Sequence, residues 1–122
     1  PCVDLVCLNE TECQIMCGVL PVDDATCLVA ARSLRELGAG AVVITLGADG
    51  AFGLGLDGRP RRVPAVPTAA GDTFIGALAA GSARSFSLAE AMSWGSLAAA
   101  VTVSRLGAQP SIPTAAEVEA LR

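Results

Sequence analysis

A run of small residues, Thr68-Ala69-Ala70-Gly71, leads into Asp72-Thr73-Phe74 and an Ala-rich stretch of helical character. A helix N-terminus carries unpaired N–H groups and the positive end of the macrodipole. Residues without bulky side chains let a phosphate approach those groups closely. Asp72 stands at that mouth. A carboxylate there opposes a bound anion unless it takes part in the chemistry. Beside a phosphoryl group it is placed to take a proton from an attacking hydroxyl. The competing reading is an N-cap, with Asp72 satisfying backbone donors; these seven residues alone favour the cap, and the rest of the chain reverses that.

The other reactive side chains say less. Cys2, Cys7, Cys13, Cys17 and Cys27 all fall in the first quarter of the chain, and their odd number argues against a secreted disulfide framework. Cys13 and Cys17 have the i, i+4 spacing that places two thiols on one helix face. Zinc would need two more ligands, and the chain has no histidine. The thiols are therefore expected to be reduced, buried and apolar in role, as in a cytosolic protein. A formal net charge of −4 without any basic run argues against nucleic acid or an anionic membrane surface as the main partner. No apolar run reaches transmembrane length. Asp4 interrupts the first apolar stretch and no basic region precedes it, so no signal peptide is expected.

These residues need a scaffold. A length of 122 residues fits one modest domain, and with 3% aromatics its core must be built from Ala, Val and Leu. Residues 3–7 read as a short strand. Asn9 and Glu12 have capping-box spacing for a helix over 10–17, which Gly18 ends. Asp23 and Asp24 open a second helix through Leu37, stopped by Gly38 and Gly40. The apolar run 41–46 suits a buried strand of a parallel or mixed sheet. Gly47–Gly50 is a turn, 51–56 the return strand, and Asp57-Gly58 a tight hairpin signal. Residues 59–67 alternate arginine with proline, which places them at a sheet edge. Helices are expected over 72–83, over 88–104 with Ser87 and Glu90 as a capping box, and from Thr114 to the C-terminus. Strands alternating with helices mean an α/β fold.

Four separated segments, Asn9-Glu10-Thr11-Glu12, Thr45-Leu46-Gly47-Ala48-Asp49-Gly50, Ala69-Ala70-Gly71-Asp72-Thr73-Phe74 and Arg105-Leu106-Gly107-Ala108-Gln109-Pro110-Ser111-Ile112-Pro113, occur in this order. Together they resemble the C-terminal portion of the ribokinase-like (PfkB-type) carbohydrate kinases. The third and fourth are the specific ones, and the fourth favours ribokinases over fructokinases or adenosine kinases. The resemblance implies the C-terminal part of a doubly wound α/β/α sandwich, carrying ATP-binding and catalytic elements within one partial domain, 1–122. It implies transfer of the ATP γ-phosphoryl group to the 5-hydroxyl of D-ribose, with ATP and ribose as partners. Asp72 matches the general base that meets the sugar, and Ala69, Ala70 and Gly71 the anion hole. Asn9, the turn Thr45, Leu46, Gly47, Ala48, Asp49 and Gly50, together with Gly71 and Asp72, match ATP-binding positions. Ser96 falls where the family contacts adenine with Asn or His. Glu12 matches a residue that holds Mg²⁺ through water. Thr68, Thr102, Arg105, Gly107 and Ser111 match ligands of an activating K⁺. A cytoplasmic location, with the nucleus also open, and a homodimer of the full-length protein are further expectations.

Two departures from the family pattern shape these expectations. The resemblance starts at the strand before Asn9, so the family's sugar-binding half and lid lie outside it. The family carries an Asp-Thr pair at a strand end just before T-A-A-G-D; here Pro67 runs directly into Thr68, a short segment against the family's spacing is missing at this join, and the resemblance implies that the K⁺ site loses a carboxylate. Two readings therefore stand side by side: a ribokinase, and a non-catalytic fragment that keeps nucleotide binding or an interaction surface.

Overall fold

The computed structural model describes residues 3–64, 71–104 and 113–122, with the backbone alone for Gly71, Asp72, Val103 and Ser104. The chain divides into two compact units, one of Pro1–Leu46 with Ala51–Arg62 and one of Gly47–Gly50 with Val63–Arg122. Among the described residues no helix is long and apolar enough to cross a membrane.

The first unit is built on strand β1 (Val3–Asn9), helices α1 (Glu10–Cys17) and α2 (Asp24–Glu36), and strands β2 (Ala39–Thr45) and β3 (Ala51–Leu54). Strand β4 (Pro60–Val63) completes a sheet of order β1-β2-β3-β4. β1 and β2 run parallel, in a register that ends on Asn9 opposite Thr45; β2 and β3 run antiparallel. The proline-bearing β4 takes the edge, as the Arg/Pro alternation requires, with Pro60 as its first residue.

α2 lies on the face of the sheet presented by Val42, Ile44, Phe52 and Leu54, and it does so through Cys27, Ala30, Ala31 and Leu34. Three of those four are small, which lets the helix approach closely. The caps are those the sequence announces. Asn9 accepts from the Glu12 amide and Glu12 returns the bond to the Asn9 amide. Gly18 closes α1 in the left-handed region at φ 77° and donates to the Gln14 carbonyl at 2.8 Å. Asp23 caps α2 with Thr26 at 2.8 Å, and these hydrogen bonds hold its carboxyl below the usual range.

β2 begins two residues earlier than its apolar run suggests. Gly40, expected to stop the preceding helix, is instead a strand residue. A Cβ there would lie 2.7 Å from the Asp4 carbonyl oxygen, so glycine is what allows β1 to pair along this stretch. The return strand stops at Leu54, because Gly55 accepts from Gly58 across the hairpin turn at 3.0 Å.

The second unit is a helical hairpin, α3 (Gly71–Ala83) and α4 (Leu88–Ser104), with the short α5 (Ala115–Ala120) and the turn Gly47–Gly50. The hairpin is antiparallel. Thr73 meets Thr102, and Cβ atoms built at Gly95 and Gly81 would lie 2.8 Å from Phe74 and 3.2 Å from Ala91. Ser85 turns the chain between the helices at φ 62°, while the Phe86 amide reaches back to the Gly81 carbonyl. Val118 of α5 packs with Trp94 and Ala98. Phe86 meets Trp94 edge to face at 5.3 Å, and Arg84 and Arg122 lie over the Trp94 and Phe86 rings.

Candidate functional site

Within the first unit, three of the residues singled out from sequence lie close together. Asn9 and Thr45 are register partners at the carboxyl ends of a parallel strand pair, where α/β sheets place their ligands. Glu12 is tied to Asn9 by two hydrogen bonds, at 3.0 and 2.9 Å. Both residues are exposed. The capping role is thus realised, and it uses one oxygen of each side chain. The Asn9 amide NH₂ and the second Glu12 oxygen have no partner among the described residues. Capping fixes the two side chains and leaves a neutral donor and an anionic acceptor at the strand ends. Leu46, the next member of the turn motif, is buried in the sheet core.

Among the described residues no three His, Cys, Asp or Glu side chains gather in a cluster able to hold a metal. Glu12 is therefore a single-carboxylate ligand candidate. That fits Mg²⁺, which keeps several waters and is commonly held by one or two carboxylates together with substrate phosphates.

The second unit holds the rest. The turn continues as a short 3₁₀ segment, Gly47–Asp49, with Gly47 at φ 56° and Gly50 at φ 86°. Gly50 donates to the Gly47 carbonyl at 3.1 Å. Both positive φ values call for glycine, which accounts for the T-L-G-A-D-G spacing in backbone terms. Gly71 and Asp72 are the first two residues of α3, where backbone N–H groups have no intrahelical acceptor. Ala69 and Ala70 of the expected anion hole, and Thr68, Arg105, Gly107 and Ser111 of the expected cation set, lie outside the described residues. Thr102, the remaining member of that set, is in the last turn of α4, where carbonyls also lack intrahelical partners. The Ser96 hydroxyl donates to the Pro64 carbonyl at a long 3.4 Å.

Sequence reasoning missed Thr73. Its hydroxyl pairs with that of Thr102 at 3.1 Å, and no local pattern marks a contact between residues 29 positions apart. It also missed a cleft of about 390 Å³ lined by Asp24, Leu28, Phe52 and Arg62. The signal for it was the Arg/Pro run, whose Arg62 bonds Asp24 at 2.8 Å. Arg61 bonds Asp57 at 2.7 Å and holds that carboxyl down at about 2.

Cys7, Cys13 and Cys27 are not tuned for reactivity. Burial pushes the Cys7 thiol up to about 11 and the Cys13 thiol up to about 12, and raises Cys27 as well. Cys13 and Cys17 stand 3.9 Å apart, sulfur to sulfur, with Cys17 donating to the Cys13 carbonyl. A thiol held neutral by burial is a poor nucleophile and a poor metal ligand.

Known proteins extend this geometry. Residues 1–115 match the model of the pfkB family of carbohydrate kinases. A ribokinase from Haemophilus influenzae is 38% identical over 121 residues, covering 94% of this chain and 39% of that protein. A ribokinase from Mus musculus is 38% identical over 118 residues, covering 89% of this chain and 36% of that protein. The structure of Arabidopsis thaliana ribokinase complexed with ribose and ATP superposes with a TM-score of 0.83 at 28% identity, over 97% of this chain and 40% of that one. Thermotoga maritima ribokinase gives 0.74 at 34% identity, over 96% of this chain and 41% of that one. The chain thus spans about two fifths of the length of its relatives, and its mixed α/β architecture is the ribokinase-like fold. With the family's pattern running through nearly all of its residues, the chain belongs to the pfkB family of carbohydrate kinases.

Proposed function

We propose that the polypeptide carrying this chain is a ribokinase, transferring the γ-phosphoryl group of ATP to the 5-hydroxyl of D-ribose. The observation that carries this reading is the placement of Asp72 as the second residue of α3, directly after Gly71, in a member of a carbohydrate kinase family. Phosphoryl transfer asks a protein chiefly for positioning and for stabilisation of charge. The unpaired N–H groups at the start of α3 supply donors for the anionic oxygens of the phosphoryl group in flight. Asp72 accepts the proton of the sugar hydroxyl as that oxygen forms its bond to phosphorus. The bond from phosphorus to the bridging oxygen breaks, and ADP leaves with that electron pair. Asn9 offers its amide donors to the ATP phosphates, and the Gly47–Gly50 turn offers close backbone approach. Glu12 is the residue that would hold Mg²⁺ through water, and the ion would neutralise phosphate charge. Of the K⁺ ligands, Thr102 would act through its carbonyl. With Val66-Pro67 in place of the family's Asp-Thr pair, activation by K⁺ is expected to be weak.

The similarity of the chain to proteins named ribokinase, one of them complexed with ribose and ATP, supports the choice of sugar and nucleotide. The test is ATP-dependent phosphorylation of D-ribose by a polypeptide carrying residues 1–122, beside its Asp72→Asn variant. The variant should lose about 10²–10⁴-fold in turnover while keeping its affinity for ATP. An unchanged rate would return Asp72 to the role of helix cap. Affinity for ATP without any transfer to ribose would favour the second reading, a nucleotide-binding segment without catalysis.

A further inference from the structure

Among the described residues the buried polar side chains are Thr73, 9% exposed, and Thr102, 4% exposed, and their hydroxyls are 3.1 Å apart. The Thr102 hydroxyl also lies 3.1 Å from the Ala98 carbonyl of its own helix. The Thr102 hydroxyl is the donor in both contacts, so its one proton is shared between the Thr73 hydroxyl of α3 and the Ala98 carbonyl of α4. The arrangement is asymmetric. Thr102 is satisfied locally through the i−4 carbonyl, as helical threonines commonly are. Thr73 is the third residue of α3. Its hydroxyl oxygen accepts from Thr102 of α4.

We infer that Thr102 is a positioning residue, whose hydroxyl, through Thr73, fixes the first turn of α3 and with it Gly71 and Asp72. This inference rests on the reading of Asp72 as general base. The neighbouring Phe74 is fully buried, and a Cβ built at Gly95 would touch its ring at 2.8 Å. That apolar contact sets how near the two helices come, but apolar burial has no direction and does not set the rotation of α3 about its axis. A hydrogen bond does have direction, and a β-branched side chain is stiff at χ1, so a fixed hydroxyl fixes its own backbone. Thr73 adjoins Asp72. The Thr102 hydroxyl, anchored on the Ala98 carbonyl and bonded to the Thr73 hydroxyl, therefore holds the first turn in one rotational setting, while Phe74 holds it at one depth.

The experiment compares Thr102→Val, Thr102→Ser and the double variant Thr73→Val/Thr102→Val in a polypeptide carrying this sequence. Urea stability, the amide resonances of Gly71 and Asp72, affinity for a non-hydrolysable ATP analogue with Mg²⁺, and kcat and KM for ribose phosphorylation are measured on each. Thr102→Val should shift both amide resonances and lower kcat by about tenfold or more, since small misplacements are costly in catalysis. Thr102→Ser should restore both. Replacing both partners by apolar groups should recover stability without recovering kcat or the amide positions. If kcat and the resonances return with stability in the double variant, the pair is structural only and the inference is overturned. Unmoved Gly71 and Asp72 resonances in Thr102→Val would overturn it too. Should the parent polypeptide transfer no phosphoryl group to ribose, the functional reading fails, and the amide resonances still decide the positioning role.

Discussion

Substituting alanine at two glycines of the same helical hairpin should move stability in opposite directions. Gly95 lies in α4, and a Cβ there would meet the Phe74 ring at 2.8 and 3.0 Å and the Phe74 carbonyl oxygen at 3.1 Å. The ring is fully buried and the carbonyl is backbone, so neither can move aside cheaply. Overpacking of this kind costs about 1–3 kcal/mol, and with backbone involved the upper half of that range applies. Alanine returns about 1 kcal/mol in helix propensity. The net for Gly95→Ala is therefore a loss of about 1–2 kcal/mol. Gly76 lies in α3, is exposed, and a Cβ there meets nothing within 4 Å. Gly76→Ala should gain about 0.4–1 kcal/mol, because only the conformational terms remain. Urea titrations followed by far-ultraviolet circular dichroism measure both. Gly95→Ala as stable as the parent would show that α3 and α4 can separate freely, and the close-packing argument would fall. Equal gains from both substitutions would say the same.

Gly40→Ala should destabilise the first unit by about 2 kcal/mol or more, since its Cβ would lie 2.7 Å from the Asp4 carbonyl in the paired strand; thermal melting checks this. Ser85→Gly should stabilise the hairpin by about 1 kcal/mol, by relieving a non-glycine residue at φ 62°, again read from urea titration. A pH series adds a third. Burial raises Cys7 to about 11 and Cys13 to about 12 from 9.0 in the unfolded chain. The folded state therefore keeps protons that the unfolded state gives up. Stability from these neutral thiols is full below about pH 9 and is lost as the pH rises through 11 to 12. Cys13→Ala should flatten that alkaline decline, and an unchanged slope in the variant would remove the thiol from the account.

The local features of this fold were legible because each rests on near neighbours in the chain. Asn9 with Glu12, Gly18 after α1, and Asp57-Gly58 are short-range chemistry, and the structure realises each where the spacing placed it. The edge position of β4 followed from Pro60, which cannot donate within a ladder. Gly40 was misread as a helix stop. Its reason is a steric meeting with Asp4, 36 positions away, and nothing around Gly40 encodes that distance. Thr73 was passed over for the same kind of reason. A threonine in an Ala-rich helix has no distinguishing neighbour, and its partner Thr102 comes into view only when α3 and α4 are antiparallel. Asp72 was singled out because its neighbours lack side chains, a property of composition that needs no tertiary information.

Trp94 is the only tryptophan of the chain, which has no tyrosine, and it is buried in the second unit against Phe86 and Val118. All five cysteines belong to the first unit, which carries neither chromophore. The two halves of the chain are thus labelled by nature with different probes. Intrinsic fluorescence reports on the helical hairpin and is silent about the sheet. Thiol labelling by a disulfide reagent reports on the sheet and its two helices and is silent about the hairpin. One unfolding series read both ways, with no label or mutation introduced, compares the cooperativity of the unit holding Asn9 and Thr45 with that of the unit holding Asp72. Coincident transitions would make the chain a single folding unit. Separated ones would make each half an independently titratable module, and a nucleotide added to the series would reveal which of the two it holds together.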